Sequence, residues 1–250
     1  LLDQDPNANV ISTPSGSWFA WIMAVDRAPT NDLNLRLAMK HSVDRQYLVD
    51  NVLQGHGIVG NDFPVNPGLP TYSWDIPQHD YDPDKAKWHW DKTGLSSVEI
   101  AVSNAANPNA IDCSMILQEQ AREAGINIDI NRVPDDGYWS HTWMQVPFCA
   151  TGWNSRPTAD LILTIAHQCG GSWNETFWCN ERFDELLVMG RLETDPDKRL
   201  EIYHEACTLL HDDGGLFQPF FTNYIEATSA RVQDYHGSSA FAGGAGWPYE

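Results

Sequence analysis

From Ser17 to Asp26 the chain runs Ser-Trp-Phe-Ala-Trp-Ile-Met-Ala-Val-Asp, an almost unbroken apolar and aromatic stretch. Such a run fits a strand buried on both faces. The period then changes. Thr30, Asn31 and Asp32 offer helix caps, and Leu33, Leu37 and Ala38 recur at helical spacing. Asp44 caps a second helical segment with Tyr47, Leu48 and Val52 on its apolar face and Gly55 as its stop. Residues 56–80 lose all periodicity. Pro64, Pro67, Pro70 and Pro77 are interspersed with Gly57, Gly60 and Gly68, which predicts a long irregular connection on a surface or along a cleft.

Asp82-Pro83 starts a helix that runs through Lys92 and stops at Gly94, with Pro at the first helical position. Val98 to Val102 reads as a strand, Asp112 to Ala124 as a helix closed by Gly125, and Ile126 to Val133 as a strand. That order is a βαβ unit and predicts a partly parallel sheet. Phe148 to Trp153 is a further strand. Ala159 to His167, Glu181 to Leu192 and Pro196 to His211 are helices, and Phe217 to Thr228 is the last strand. The glycine-rich stretch from Gly237 to Gly246 reads as irregular. The fold class is therefore α/β, a mixed sheet with flanking helices.

The chain has 250 residues, 42% of them hydrophobic, enough for one large core or two modest ones. Lys plus Arg number 15 and Asp plus Glu 34, a net charge of −19. That field repels phosphate backbones and anionic lipid, so no nucleic acid partner is expected. No stretch approaches the roughly 20 apolar residues of a membrane span. No basic segment leads into an apolar one as in an export signal. The opening Leu1-Leu2-Asp3-Gln4-Asp5-Pro6 lacks an initiator Met and reads as chain joined in mid-protein.

The cysteines are Cys113, Cys149, Cys169, Cys179 and Cys207, with no C-x-x-C and no His at zinc-site spacing. No metal site or cofactor is expected from them. Cys169 and Cys179 flank a short loop that a disulfide can close in an oxidising compartment. The pairing of the other three is left open between buried thiols and a further bridge. No G-x-S-x-G, H-E-x-x-H or Walker pattern occurs. His204 and His211 share a helix face but need no ligand. The positive chemical signal is aromatic: 11 tryptophans, with Tyr138, Trp139, Trp143 and Trp153 gathered in a loop-rich region. Such rings pack cores and also wall ligand pockets.

Five segments, in order, resemble the family 5 solute-binding proteins of peptide and nickel importers. The first is Asp32 to Ala38 with Ser42-Val43-Asp44-Arg45 and Val52-Leu53-Gln54-Gly55. The second is Tyr81-Asp82-Pro83-Asp84-Lys85-Ala86-Lys87 with Gly94. The third is Gly125-Ile126, then Asp136, Trp139 and Gly152-Trp153. The fourth is Cys169 to Cys179 followed by Asn180-Glu181-Arg182-Phe183-Asp184. The fifth is Asp197 to Tyr203, continuing to Asp212 and Pro219.

The resemblance implies a two-lobed type II binding protein of about twice this length, exported to the periplasm or beyond, that closes on a small-molecule ligand and presents it to the permease subunits of an ABC importer. This chain then corresponds to the C-terminal half. Residues 1–27 are the end of the first lobe and a hinge strand, 28–217 the second lobe, and 218–250 the strand and segment returning to the first lobe. The N-terminal lobe of the same protein is a partner, and Trp18, Phe19, Trp21 and Phe220 are expected to expose apolar surface towards it. Family members carry a cysteine pair like Cys169 and Cys179, which implies a disulfide.

Ligand-binding candidates are Trp153, Asn154, Arg156, Asn104, Tyr138, Trp139 and Trp21. Dipeptide-binding members place an Arg before a segment like Asn107-Pro108-Asn109, where this chain has Asn104, and an Asp after Gly-Trp, where it has Arg156. A cation there favours an anionic or hydroxyl-rich ligand. No enzymatic role is expected. The alternatives are a sensory or chaperone-like binding protein on the same fold and a hydrolase using scattered carboxylates.

Overall fold

The computed structural model describes residues 4–237, so most of the glycine-rich stretch lies outside the described residues. Strand β1 (Ala8–Met23) and strand β6 (Leu216–Ser229) are the long members of a six-stranded sheet. The others are β2 (Gly57–Val59), β3 (Val98–Val102), β4 (Ile128–Arg132) and β5 (Phe148–Trp153), in the order β2-β6-β1-β5-β3-β4. β3 pairs in parallel with both β4 and β5, and the remaining pairs are antiparallel. The sheet is mixed, and β3 with β4 forms the βαβ unit expected from sequence.

Burial along β1 follows from its central place. From Ser15 to Met23 every residue is buried, and the faces alternate. Phe19, Trp21 and Met23 join one core with residues of α1 (Leu33–Lys40), α2 (Arg45–Asn51), α3 (Pro83–Thr93) and α4 (Ala110–Ala121). Trp18, Ala20 and Ile22 join the other with α6 (Ala159–His167), α7 (Glu181–Leu192) and α8 (Pro196–Asp213). The result is a three-layer sandwich, with helices on both faces of the sheet. Trp18, Phe19, Trp21 and Phe220 are therefore covered by this chain's own helices at 0–1% exposure, and the expectation that they present apolar surface to another lobe is corrected.

The helix starts follow the sequence signals. Asp32, Asp44, Asp82, Thr158, Asn180 and Asp195 each accept a backbone N–H of the first turn of α1, α2, α3, α6, α7 and α8. Gly94 closes α3 at φ 68°, a left-handed position that glycine takes without a Cβ clash. The helix expected at residues 112–124 runs instead as α4 to Ala121 followed by a tighter 3-10 turn to Ala124. A short helix, α5 (Tyr138–His141), was not expected.

β1 begins well before its apolar run. Ala8 to Pro14 pair with Ser229 to Asn223, and in this ribbon side chains alternate between half-buried and exposed. No described helix is long and apolar enough to cross a membrane.

The irregular residues 56–80 are anchored by a buried charge network. The Arg45 guanidinium donates to Gly60 O, Gln218 O and Asp62 Oδ2 at 3.0, 2.9 and 2.9 Å. Asp62 Oδ1 accepts Gln218 N at 2.8 Å, and His79 Nδ1 lies 2.9 Å from Oδ2. Lys40 Nζ, fully buried, donates to His211 O at 2.7 Å. Asp62, His79 and His211 bring three ligand-type atoms within 4.8 Å of one another. Yet the two imidazoles stack at 3.8 Å and 9°, so their in-plane lone pairs run side by side and do not converge on an ion. Two neighbouring cations repel one as well. The cluster ties α1, α2, the connection, α8 and β6 together.

Candidate functional site

β3 and β5 run the same way, so their C-terminal ends open at one edge of the sheet. Ligand sites in α/β folds gather beyond such ends. β5 ends in Gly152-Trp153. A Cβ at Gly152 would stand 2.5 Å from Ala106 O, so only glycine lets the turn after β3 close against β5. Past Trp153 the chain leaves as Asn154-Ser155-Arg156 and enters α6 at the Thr158 cap.

Here a pocket of about 330 Å³ is walled by Trp139, Trp143, Trp153 and Trp173, with Thr151, Gly152, Asn154 and Arg156 completing it. The indoles meet edge to face: Trp139 with Trp143 at 5.6 Å, Trp143 with Trp173 at 6.1 Å, and Trp153 with Trp173 at 5.6 Å. Trp153 is stacked from behind by Trp18 at 5.8 Å and 12°. Trp139 and Trp173 are about half exposed, so the pocket offers flat apolar faces to solvent. Arg156 and Trp173 also line an adjoining hollow of about 340 Å³.

The Arg156 guanidinium stands 5.4 Å from the centre of the Trp153 ring. It donates to the carbonyls of Asn154 and Ser155 at 3.0 and 3.2 Å. Among the described residues no carboxylate pairs with it. Asp160, four residues further on, is bound by Arg191 at 2.9 Å. Arg156 thus keeps both a positive charge and donor capacity at the pocket.

Beneath the floor lies Glu175, 1% exposed. Its Oε1 accepts Trp153 Nε1 at 2.9 Å; its Oε2 accepts Thr151 Oγ1 at 2.9 Å and the Trp143 indole N–H. Burial pushes its carboxyl up to about 7, against those three donors, which favour the ionised form.

Four residues expected from sequence to bind ligand therefore meet in one pocket: Trp139, Trp153, Asn154 and Arg156. Asn104 is exposed in the turn after β3 and is not among the pocket's lining residues. Tyr138 and Trp21 are placed in the core. Tyr138 OH donates to Ala150 O at 2.6 Å, and Trp21 Nε1 donates to Ser114 Oγ at 2.7 Å. Each polar tip already has an internal partner, so neither ring is open to a ligand. Sequence reasoning missed Trp173 and Glu175. Both sit between the paired cysteines, and that loop was the signal that could have found them.

Cys169 and Cys179 are disulfide-bonded, as the resemblance implied, while Cys113, Cys149 and Cys207 are buried free thiols. The bridge closes a loop in which the Asn174 amide donates to the carbonyls of His167, Gln168 and Trp178. Cys169→Ser is expected to cost roughly 2–3 kcal/mol in urea unfolding, from loop-closure entropy alone. An unchanged midpoint would show that the Asn174 bonds suffice.

Residues 1–173 match the model of bacterial extracellular solute-binding proteins, family 5 Middle. The chain is 24% identical over 247 residues to the dipeptide-binding protein of Escherichia coli K12, covering 94% of this chain and 46% of that protein. It thus spans about half the length of the curated relatives it matches. Its fold is shared with two solved structures at a TM-score of 0.81. One is a dipeptide-binding protein from Pseudoalteromonas sp. SM9913 in complex with Met-Leu, 21% identical, covering 96% of this chain and 50% of that one. The other is NikZ from Campylobacter jejuni in complex with Ni(L-His), 19% identical, covering 97% and 52%.

Proposed function

The chain belongs to the family 5 extracellular solute-binding proteins, and from that premise we propose that it carries one wall of the ligand site of an importer's receptor. The receptor captures a small solute between two lobes outside the cytoplasm and delivers it to the membrane permease subunits of an ABC importer. The outer ribbon, residues 8–14 with 223–229, leads towards the other lobe, which supplies the facing wall, and closure of the lobes on the ligand couples capture to delivery. Trp153, Trp139, Trp143 and Trp173 take a flat or apolar part of the ligand, and Arg156, with Asn154 beside it, takes an anionic or hydroxyl-rich part. A peptide-like molecule meets both demands. The observation that carries this reading is the guanidinium of Arg156, set over an indole at the pocket and hydrogen-bonded, among the described residues, only to backbone carbonyls.

The test is calorimetry on the full-length protein with whatever solute mass spectrometry finds retained in it. Arg156→Ala is expected to weaken binding by about 10- to 150-fold, the worth of a charge-assisted hydrogen bond in a desolvated cleft. Arg156→Lys recovers part of the loss, since an ammonium cannot reproduce the planar fork. Undiminished affinity in Arg156→Ala would remove the anionic-group argument.

A further inference from the structure

We propose that Glu175 is a positioning residue: its carboxylate fixes the Trp143 and Trp153 indoles that wall the pocket, so that protonation of this one buried group changes the shape the pocket offers to a ligand. The inference rests on the reading of this pocket as the ligand site.

Two oxygens serve three donors. Trp153 Nε1 bonds Oε1, and Thr151 Oγ1 shares Oε2 with the Trp143 indole. As a carboxylate, Glu175 is acceptor-only and satisfies all three with charge-assisted bonds. As an acid, one oxygen becomes a donor and must find an acceptor of its own. It then loses acceptor capacity for a donor it held, and an indole N–H is released or weakened. The two rings sit in different elements, Trp153 at the end of β5 and Trp143 just after α5. Glu175 is the group that ties both to the loop bearing Trp173, whose carbonyl accepts Glu175 N at 2.9 Å.

Among the described residues no Lys, Arg or His forms an ion pair with Glu175. The titratable groups that face it are Tyr138 from α5 and Cys149 from β5. Burial raises both, Cys149 to about 12, so they stay neutral while Glu175 titrates. With no compensating cation, burial holds the Glu175 carboxyl near neutrality, at about 7, where modest changes of pH switch it.

The experiment is indole N–H nuclear magnetic resonance on the ligand-free full-length protein between about pH 5 and 9, with Trp143 and Trp153 assigned through Trp143→Phe and Trp153→Phe. The two resonances are expected to shift together with one midpoint near 7. In Glu175→Gln, which holds the group uncharged, neither should titrate. Independent titration of the two indoles, or a shared titration that survives in Glu175→Gln, overturns the proposal. If Glu175→Gln does not fold, Trp143→Phe carries the test. Removing one donor to the carboxylate should move the Trp153 midpoint to higher pH, and an unmoved midpoint refutes the coupling. Binding of the dipeptide Met-Leu, measured in parallel, separates the two readings. A shared indole titration with Met-Leu affinity indifferent to Trp139→Ala and Trp173→Ala leaves the positioning role standing and sinks the ligand-site reading.

Discussion

Replacing Asp62 with Ala is expected to remove about 3–5 kcal/mol of folding stability, because breaking a buried ion pair strands the surviving charges. The Asp62 side chain has no exposure, and the Arg45 and Lys40 side chains beside it are almost as dry. Without the carboxylate, two cations share one apolar space with no anion between them. Gln218 N loses its acceptor as well. Asp62 also sits at φ 58°, a left-handed conformation that Asp tolerates better than Ala. Asp62→Asn separates these causes: it keeps the left-handed tolerance and an acceptor for Gln218 N, and loses the charge together with the acceptor that faces Arg45. It should fall between the parent and Asp62→Ala in urea unfolding. A loss below about 1 kcal/mol in Asp62→Ala would mean that water enters to solvate Arg45 and Lys40.

Acid should unfold the protein before the buried histidines themselves take up protons, at about pH 3.5–4. Burial lowers His79 and His167 to about 3. His79 touches Asp62, which favours its charged form. But Asp62 is already compensated by Arg45 and Lys40, so desolvation prevails. His167 is 1% exposed, and among the described residues neither of its ring nitrogens has a hydrogen-bond partner. In the unfolded chain both take up a proton near pH 6.5. Their contribution to stability is thus complete above about 6.5 and lost as pH falls towards 3, at about 1.4 kcal/mol per pH unit for each. Asp62, held well below the usual carboxylate range in company with Arg45 and Lys40, adds loss in the same direction below about pH 4. Glu175 runs the opposite way. Its raised value means stability is lost as pH rises from about 4.5 to about 7. Stability should therefore peak near pH 6–7. Glu175 offsets about half of the histidine loss down to about pH 4.5, so the net loss reaches the ~5 kcal/mol of a marginally stable domain, and the acid midpoint falls, at about pH 3.5–4. Circular dichroism against pH checks this. His167→Phe should shift the acid limb to lower pH, and an unmoved limb would exclude His167 as its cause.

The helices were legible because their ends carry local chemistry. Asp82-Pro83 and Asp195-Pro196 state a cap and a first turn in two residues, and the structure has both. The double-sided burial of residues 17–23 was legible in an apolar run without alternation. The resemblance rested partly on Asp44-Arg45, and the structure gives that pair a local reason: Asp44 caps α2 and Arg45 holds Gly60, Asp62 and Gln218. What stayed hidden depends on tertiary meetings. The start of β1, through Pro14 and Gly16, looks like loop until β6 lies beside it. Trp21 and Trp153 are the same residue type in strands that pair with each other. One donates to Ser114 in the core and the other to Glu175 beneath the pocket. Nothing within a few residues of either decides between those fates. Beyond its place between the paired cysteines Glu175 carries no local mark, since its donors come from positions 143, 151 and 153.

The ribbon formed by residues 8–14 and 223–229 has a mechanical consequence. Its strands are antiparallel, and Ala8 faces Ser229 at its far end. A pulling force applied at those two residues acts across the ladder, on one pair of hydrogen bonds at a time, and the ribbon peels open like a zip. Peeling would be stopped past Pro14 and Asn223, where the register shifts and β1 enters the buried sheet beside β5. The ribbon is thus weak to separation of its ends, and an opening force at residues 8 and 229 is spent on the ladder before it reaches the strand paired with β5.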